Sequence, residues 1–91
     1  MSQRLVNDIK AKHADAEILS TSRVLWHEWE LDGWVAIAKV GRVTKVFTTN
    51  HGGLVAMSLA EGRTFMRDRI RETQGVVDDM KDFQGRIKSA L

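Results

Sequence analysis

A small α+β domain is the fold class this sequence predicts: an N-terminal helix, an antiparallel meander of three to four strands, and a long or bent C-terminal helix packed on the sheet. Three observations predict it. Apolar residues recur at helical spacing near the start and again from residue 59 onward, they alternate with period two through much of residues 23–49, and glycine-bearing turn signals divide the middle of the chain. With 91 residues there is room for one hydrophobic core, so residues 1–91 read as a single domain. Hydrophobic residues at 43% and charged residues at 29% are the balance of a globular protein and not of a disordered tail.

The first segment runs from Ser2 to about Ala16, where Leu5, Ile9, His13 and Ala16 recur at spacings of four, four and three with Val6 beside them. That spacing places them on one face of an amphipathic helix. Asp15 and Glu17 sit poorly at the negative end of a helix dipole, and Ser20-Thr21-Ser22 after them reads as a loop. From Arg23 the period changes to two, with Leu25, His27, Trp29 and Leu31 on one side of a strand and Val24, Trp26, Glu28 and Glu30 on the other. Asp32-Gly33 is a favoured pair for a two-residue hairpin turn, so Trp34 to Val40 is expected to return along the first strand. Gly41-Arg42 either turns the chain again or makes a bulge within one longer strand, and the run from Arg42 to Thr49 is rich in β-branched residues in both cases. Asn50-His51-Gly52-Gly53 reads as a loop, and Leu54 to Met57 after it is either a short fourth strand, the preferred reading, or the opening of a helix.

Ser58 and Glu61 have the spacing of a capping box, which starts a helix at Leu59. Beyond it Leu59, Met66, Ile70, Val77, Met80, Ile87 and Leu91 keep one helical phase to the end of the chain. One uninterrupted helix of that length would span roughly 48 Å, longer than a domain this small is wide. Either Gly75 marks a bend and the last turns fold back, or the helix projects and pairs with another chain. On the second reading Val77, Met80, Gln84, Ile87 and Leu91 form the seam of a homodimer, with polar Gln84 setting its register. The plainer reading makes the same stripe a core face lying on the sheet.

Composition limits the function. Cysteine is absent, which excludes disulfides and thiolate chemistry and suits a reducing compartment. No run approaches the roughly 18 apolar residues of a membrane span and no leader pattern opens the sequence, so a cytoplasmic location is expected. So short a chain often gains stability from a partner subunit, which makes self-association a natural expectation. The three histidines, His13, His27 and His51, fall in a helix, a strand and a loop without metal-ligand spacing, and no cofactor motif is present. Catalysis would have to rest on His27, Glu28 and Glu30, which read better as the outer face of a half-buried strand. A non-catalytic protein is therefore expected.

The formal charge of +2 is unevenly spread: residues 1–32 sum to −2, residues 33–71 to +5, and the rest to −1. Arg63, Arg67 and Arg71 are four apart and form one ridge of like charge on a helix, with Lys39, Arg42 and Lys45 supplying the rest of the basic segment. Such a ridge is relieved by an anionic partner, and arginine is the basic residue most used at interface anchors and for phosphate recognition. Trp26, Trp29 and Trp34 fall within nine residues, and the opposite strand parity of Trp26 and Trp29 places one of those two on an outer face unless both faces are covered. These features predict a protein-binding module, an inhibitor or adaptor, using the six basic residues and Trp26 against a partner with an acidic surface. The alternative is a nucleic-acid-binding domain in which the same cations neutralise phosphates. The order of elements is similar to that of double-stranded RNA binding domains, without any sequence motif of that family.

Overall fold

The computed structural model describes residues 3–26, 31–50, 53–72 and 77–90. Its elements are α1 (Gln3–Lys12), β1 (Glu17–Trp26), β2 (Leu31–Val40), β3 (Val43–Asn50), β4 (Gly53–Met57), α2 (Leu59–Glu72) and α3 (Val77–Ala90). The strands form one antiparallel meander in the order β1-β2-β3-β4, with helices on both faces.

Alternation along the strands sorts their side chains between the two faces. On one face Val24, Val35, Ile37 and Val46 pack against Met66 of α2 and Met80, Phe83 and Ile87 of α3. On the other, Ala36, Ala38 and Phe47 pack against Leu5 and Ile9 of α1, with Ala16, Ile18 and Trp34 around them. The two buried positions of α1 are four apart, as the sequence pattern requires. His13, the polar member of that stripe, is half-buried with its ring 5.9 Å from that of Phe47, so it contributes to packing.

Several boundaries differ from expectation, each for a local reason. The first helix stops at Lys12 rather than Ala16: the His13 amide makes the last helical bond, to Ile9, and the Ala16 amide bonds back to the His13 carbonyl, which closes a turn. Ser20-Thr21-Ser22 lies inside β1 rather than in a loop. Hydroxyls are tolerated there because Ser22 donates to the Arg23 carbonyl at 3.1 Å and Ser20 accepts from Arg86 at 2.8 Å. Asp32-Gly33 is not the hairpin turn. Asp32 pairs with Leu25 and Gly33 with Val24 inside the ladder, and the reversal falls between Trp26 and Leu31. His27, Glu28, Trp29 and Glu30 lie outside the described residues.

The second hairpin is closed by the pair Val40↔Val43, so Gly41-Arg42 is a turn and not a bulge. Gly41 has φ +62°, the conformation that two-residue hairpin turns demand at their first central position. The bulge sits in β1 instead, where the register passes from Ile18↔Ala38 to Ser20↔Ile37 and leaves Leu19 unpaired and 48% exposed. That extra residue reverses the strand's parity. Ile18 can thus join the α1 cluster while Ser20 meets α3 on the opposite face.

The long C-terminal stripe is divided between two helices of 14 residues. Each spans about 21 Å, which fits a molecule whose principal extents are 35 × 28 × 17 Å. α3 packs against α2 and over β1, so the chain folds back after Glu72. Gly75 itself lies outside the described residues. At the start of α2 the capping box forms in full: the Ser58 amide donates to Glu61 Oε1 and the Glu61 amide to Ser58 Oγ, both at 3.1 Å. One turn on, a Cβ at Gly62 would stand 2.5 Å from Val46 Cγ2, so the missing side chain is what lets α2 approach the sheet this closely.

Candidate functional site

The folding back of α3 decides what each flank of the helical layer presents. Met80, Phe83 and Ile87 point down onto the sheet and are fully buried. Met80 and Ile87 are thus committed to the domain's own core, and the seam drawn through them is corrected to a core face. Val77 is described by its backbone alone, and Leu91 lies outside the described residues. Gln84 turns toward α2.

Between α2 and α3 runs an open groove of about 440 Å³, lined by Ala60, Arg63, Thr64, Arg67 and Gln84. Two arginines of the sequence-derived ridge are brought to it, and among the described residues no carboxylate lines it. Both are exposed, as is Arg71 one turn further along α2, outside the lining. The Arg67 Nε lies 3.5 Å from Asp68 Oδ1, with side chains 59% and 45% exposed. A pair so solvated contributes little and competes weakly with another anion. On α3, Lys81 and Lys88 are three residues before and four after Gln84, so the helical repeat sets them on the same flank as Gln84, outside the groove's lining, and both are exposed. They were missed by the sequence reading, although 81-84-88 is itself a helical spacing.

The remaining basic residues do not gather there. Lys39 pairs with Thr44 and Lys45 with Ala38, which puts Lys45 on the face of Phe47 and α1, and Lys39 on the opposite face with Val35 and Ile37. Arg42 is in the turn between β2 and β3, and all three are exposed. Trp26 is placed only by its backbone pairing with Leu31, and its ring lies outside the described residues, as does all of Trp29. Trp34 is half-buried against the α1 cluster.

The opposite flank of α3 has a different chemistry. A hollow of about 290 Å³ separates it from β1, where Asp79, Asp82 and Arg86 face Ser20, Ser22 and Arg23. Both signs of charge meet there, and Arg86 is already bonded to Ser20. That hollow compensates itself, whereas the described side chains that line the α2–α3 groove carry charge of one sign. Among the described residues no cluster of histidine and carboxylate side chains could hold a metal ion.

Comparison with protein-family models, curated proteins and solved structures found no match to this chain.

Proposed function

We propose that this domain is a protein-binding module whose α2–α3 groove takes an acidic segment of its partner. One observation carries the reading: Arg63 and Arg67 line a groove of about 440 Å³ whose lining includes no carboxylate among the described residues, the solvated Asp68 beside Arg67 lying outside it. The groove's walls are anchored to the sheet through Gly62, Met66, Phe83 and Ile87, so the cations are held on rigid elements. Arginine's planar fork suits carboxylates, and each charge-assisted bond formed there is about twice as strong as a neutral one. Thr64 and Gln84 add neutral hydrogen-bonding groups that orient a bound chain without repelling it. An inhibitor or adaptor role fits a domain of this size.

The distribution of the other cations favours a protein over a nucleic acid. A phosphate backbone is followed by a continuous basic track. Here Lys45 lies on the α1 face of the sheet, while α2 and its arginines lie on the other.

The test is fluorescence anisotropy with a labelled oligoglutamate peptide and with single-stranded and duplex nucleic acid of equal formal charge, across a salt series. The peptide is expected to bind, with affinity about ten- to a hundredfold lower in the double variant Arg63→Gln, Arg67→Gln. Tighter binding of nucleic acid, with affinity falling along the counterion-release slope, would replace this reading by the nucleic-acid one. An unchanged peptide affinity in the double variant would remove the groove from it.

A further inference from the structure

The sheet ends in two edges that are built differently. At one, β1 carries Glu17 and Arg23, is interrupted by the bulge at Leu19, and is held by α3 through the bond from Arg86 to Ser20. Charges, bulges and covering elements are the means by which an edge strand avoids pairing with another chain. At the other edge, β4 reads Gly53-Leu54-Val55-Ala56-Met57, with no charged residue and no proline. Its register with β3 is unbroken from Asn50↔Gly53 to Val46↔Met57. Gly53, Val55 and Ala56 are exposed, and Val55, at the centre of the strand, is one of the few large apolar side chains that the described surface leaves open.

The ladder also fixes which backbone groups point outward. Antiparallel pairs alternate between hydrogen-bonded and non-hydrogen-bonded, and the pair closing a two-residue connection is of the first kind. Asn50↔Gly53, Thr48↔Val55 and Val46↔Met57 are then the bonded pairs, so the amide and carbonyl groups of Leu54 and Ala56 are directed away from β3. A partner for this edge is an extended, antiparallel strand with matching groups at two positions spaced by two, and with no charge opposite Val55.

β4 itself meets each of those conditions. We propose that β4 pairs antiparallel with β4 of a second copy, about a two-fold axis through Val55, and continues the four-stranded sheet into one of eight strands. In that register Leu54 faces Ala56 of the second copy and Ala56 faces its Leu54, giving four backbone hydrogen bonds from the outward groups. Val55 meets its own mate in a non-hydrogen-bonded pair, the kind in which side chains come closest, and the central exposed valine is covered. Self-complementarity argues for the second copy as occupant: β4 offers, at two positions spaced by two and without charge or proline, what its own edge requires of a partner. Arg63 and Arg67 lie on the flank of α2 that faces α3, so the groove stays open in the dimer, and the two ideas fail separately.

Sedimentation equilibrium over a range of concentrations tests the pairing, with wild type, Val55→Lys, Val55→Glu, an equal mixture of those two, and Ala56→Pro. Circular dichroism checks that each variant folds; Val55 is at an exposed edge, and the Ala56 amide is not part of the β3 ladder. Wild type is expected to dimerise, each charged variant to dissociate about a hundredfold more readily because like charges meet at the axis, and the mixture to recover the dimer. Ala56→Pro, which removes two of the four bonds by symmetry, is expected to be monomeric. A wild type that stays monomeric throughout overturns the proposal. So does a folded Val55→Lys or Ala56→Pro that dimerises as wild type does, or a mixture that stays monomeric.

Discussion

On one face of the sheet Val24, Val35, Ile37 and Val46 lie under two helices, whereas on the other Ala36, Ala38 and Phe47 lie under one. The same strands supply both sets, since alternate residues of β2 and β3 go to opposite faces. The difference is in side-chain size and in what covers it. Alanines at positions 36 and 38 bring the ten-residue α1 close to the sheet, with Phe47 as the one large side chain beneath it. Branched residues on the other face hold two longer helices that also pack on each other. Only that face acquires a groove between helices, so the thicker layer is both the main core and the support of the candidate site. The single helix on the thin face completes the burial of Phe47.

The largest effects should separate the two faces. Phe83→Ala removes a fully buried ring from the thick face and is expected to cost about 3–5 kcal/mol, abolishing peptide binding at moderate urea as the whole domain unfolds. Ile9→Ala removes a fully buried side chain from the thin face, where a lone helix can settle into the space, and is expected to cost nearer 2 kcal/mol. Urea denaturation gives both values, and native-state hydrogen exchange should show the amides of α1 opening in Ile9→Ala while those of β2 and β3 stay protected. Equal costs, or equal loss of groove binding, would mean that the faces do not act independently.

A smaller effect tests how closely the thick layer is fitted. Gly62 and Gly85 are both helical, yet a Cβ at Gly62 would meet Val46 at 2.5 and 2.8 Å, whereas nothing lies within 4 Å of one at Gly85. Alanine gains up to about 1 kcal/mol of helix propensity at either position. At Gly62 overpacking of about 1–3 kcal/mol opposes that gain, so Gly62→Ala is expected to destabilise while Gly85→Ala stabilises. Urea midpoints at constant m-value check the opposite signs. Stabilisation by both substitutions would show that α2 has room to move away from Val46.

Much of this architecture is legible in local signals. The stripe Leu5, Ile9, the β-branched run after Arg42, the short fourth strand and the Ser58/Glu61 box each report a choice made over a few residues, and each is present. Where the sequence misleads, a long-range pairing outweighs a local preference. Asp32-Gly33 favours a turn, but the ladder places Gly33 opposite Val24 and Asp32 opposite Leu25, and the reversal comes earlier. The stripe from Leu59 onward looks like one helix because α2 and α3 each bury an apolar face of the same helical spacing against the same sheet surface. The bulge at Leu19 has no glycine or proline to announce it. For the candidate site, the spacing of Arg63 and Arg67 was readable, but the role of Gln84 as a wall depends on the return of α3, which Gly75 and the helix length left as one of two readings.

The smallest expected effect concerns how the two layers begin. α1 has no acidic residue in its first turn, whereas α2 starts on the reciprocal bonds between Ser58 and Glu61. The bond that the Ser58 backbone amide donates to the carboxylate, and after it the Ser58 hydroxyl close by, lower the Glu61 pKa from its usual 4.5. A carboxylate whose pKa is depressed in the folded state stabilises it fully above the unfolded value, and that contribution is lost as pH falls through the folded value. Glutamine at position 61 can accept the same bond without a charge, so Glu61→Gln retains the box and loses the titration. Wild type is therefore expected to exceed Glu61→Gln slightly in stability near neutrality, with the difference vanishing below pH 4.5. Urea titrations of both proteins at neutral and acid pH measure it, with Ile9→Ala added to each as a background weakened on the thin face. A difference that persists in acid would show that the advantage comes from hydrogen-bond geometry rather than charge, and one that changes in the Ile9→Ala background would couple the start of α2 to the opposite face of the sheet.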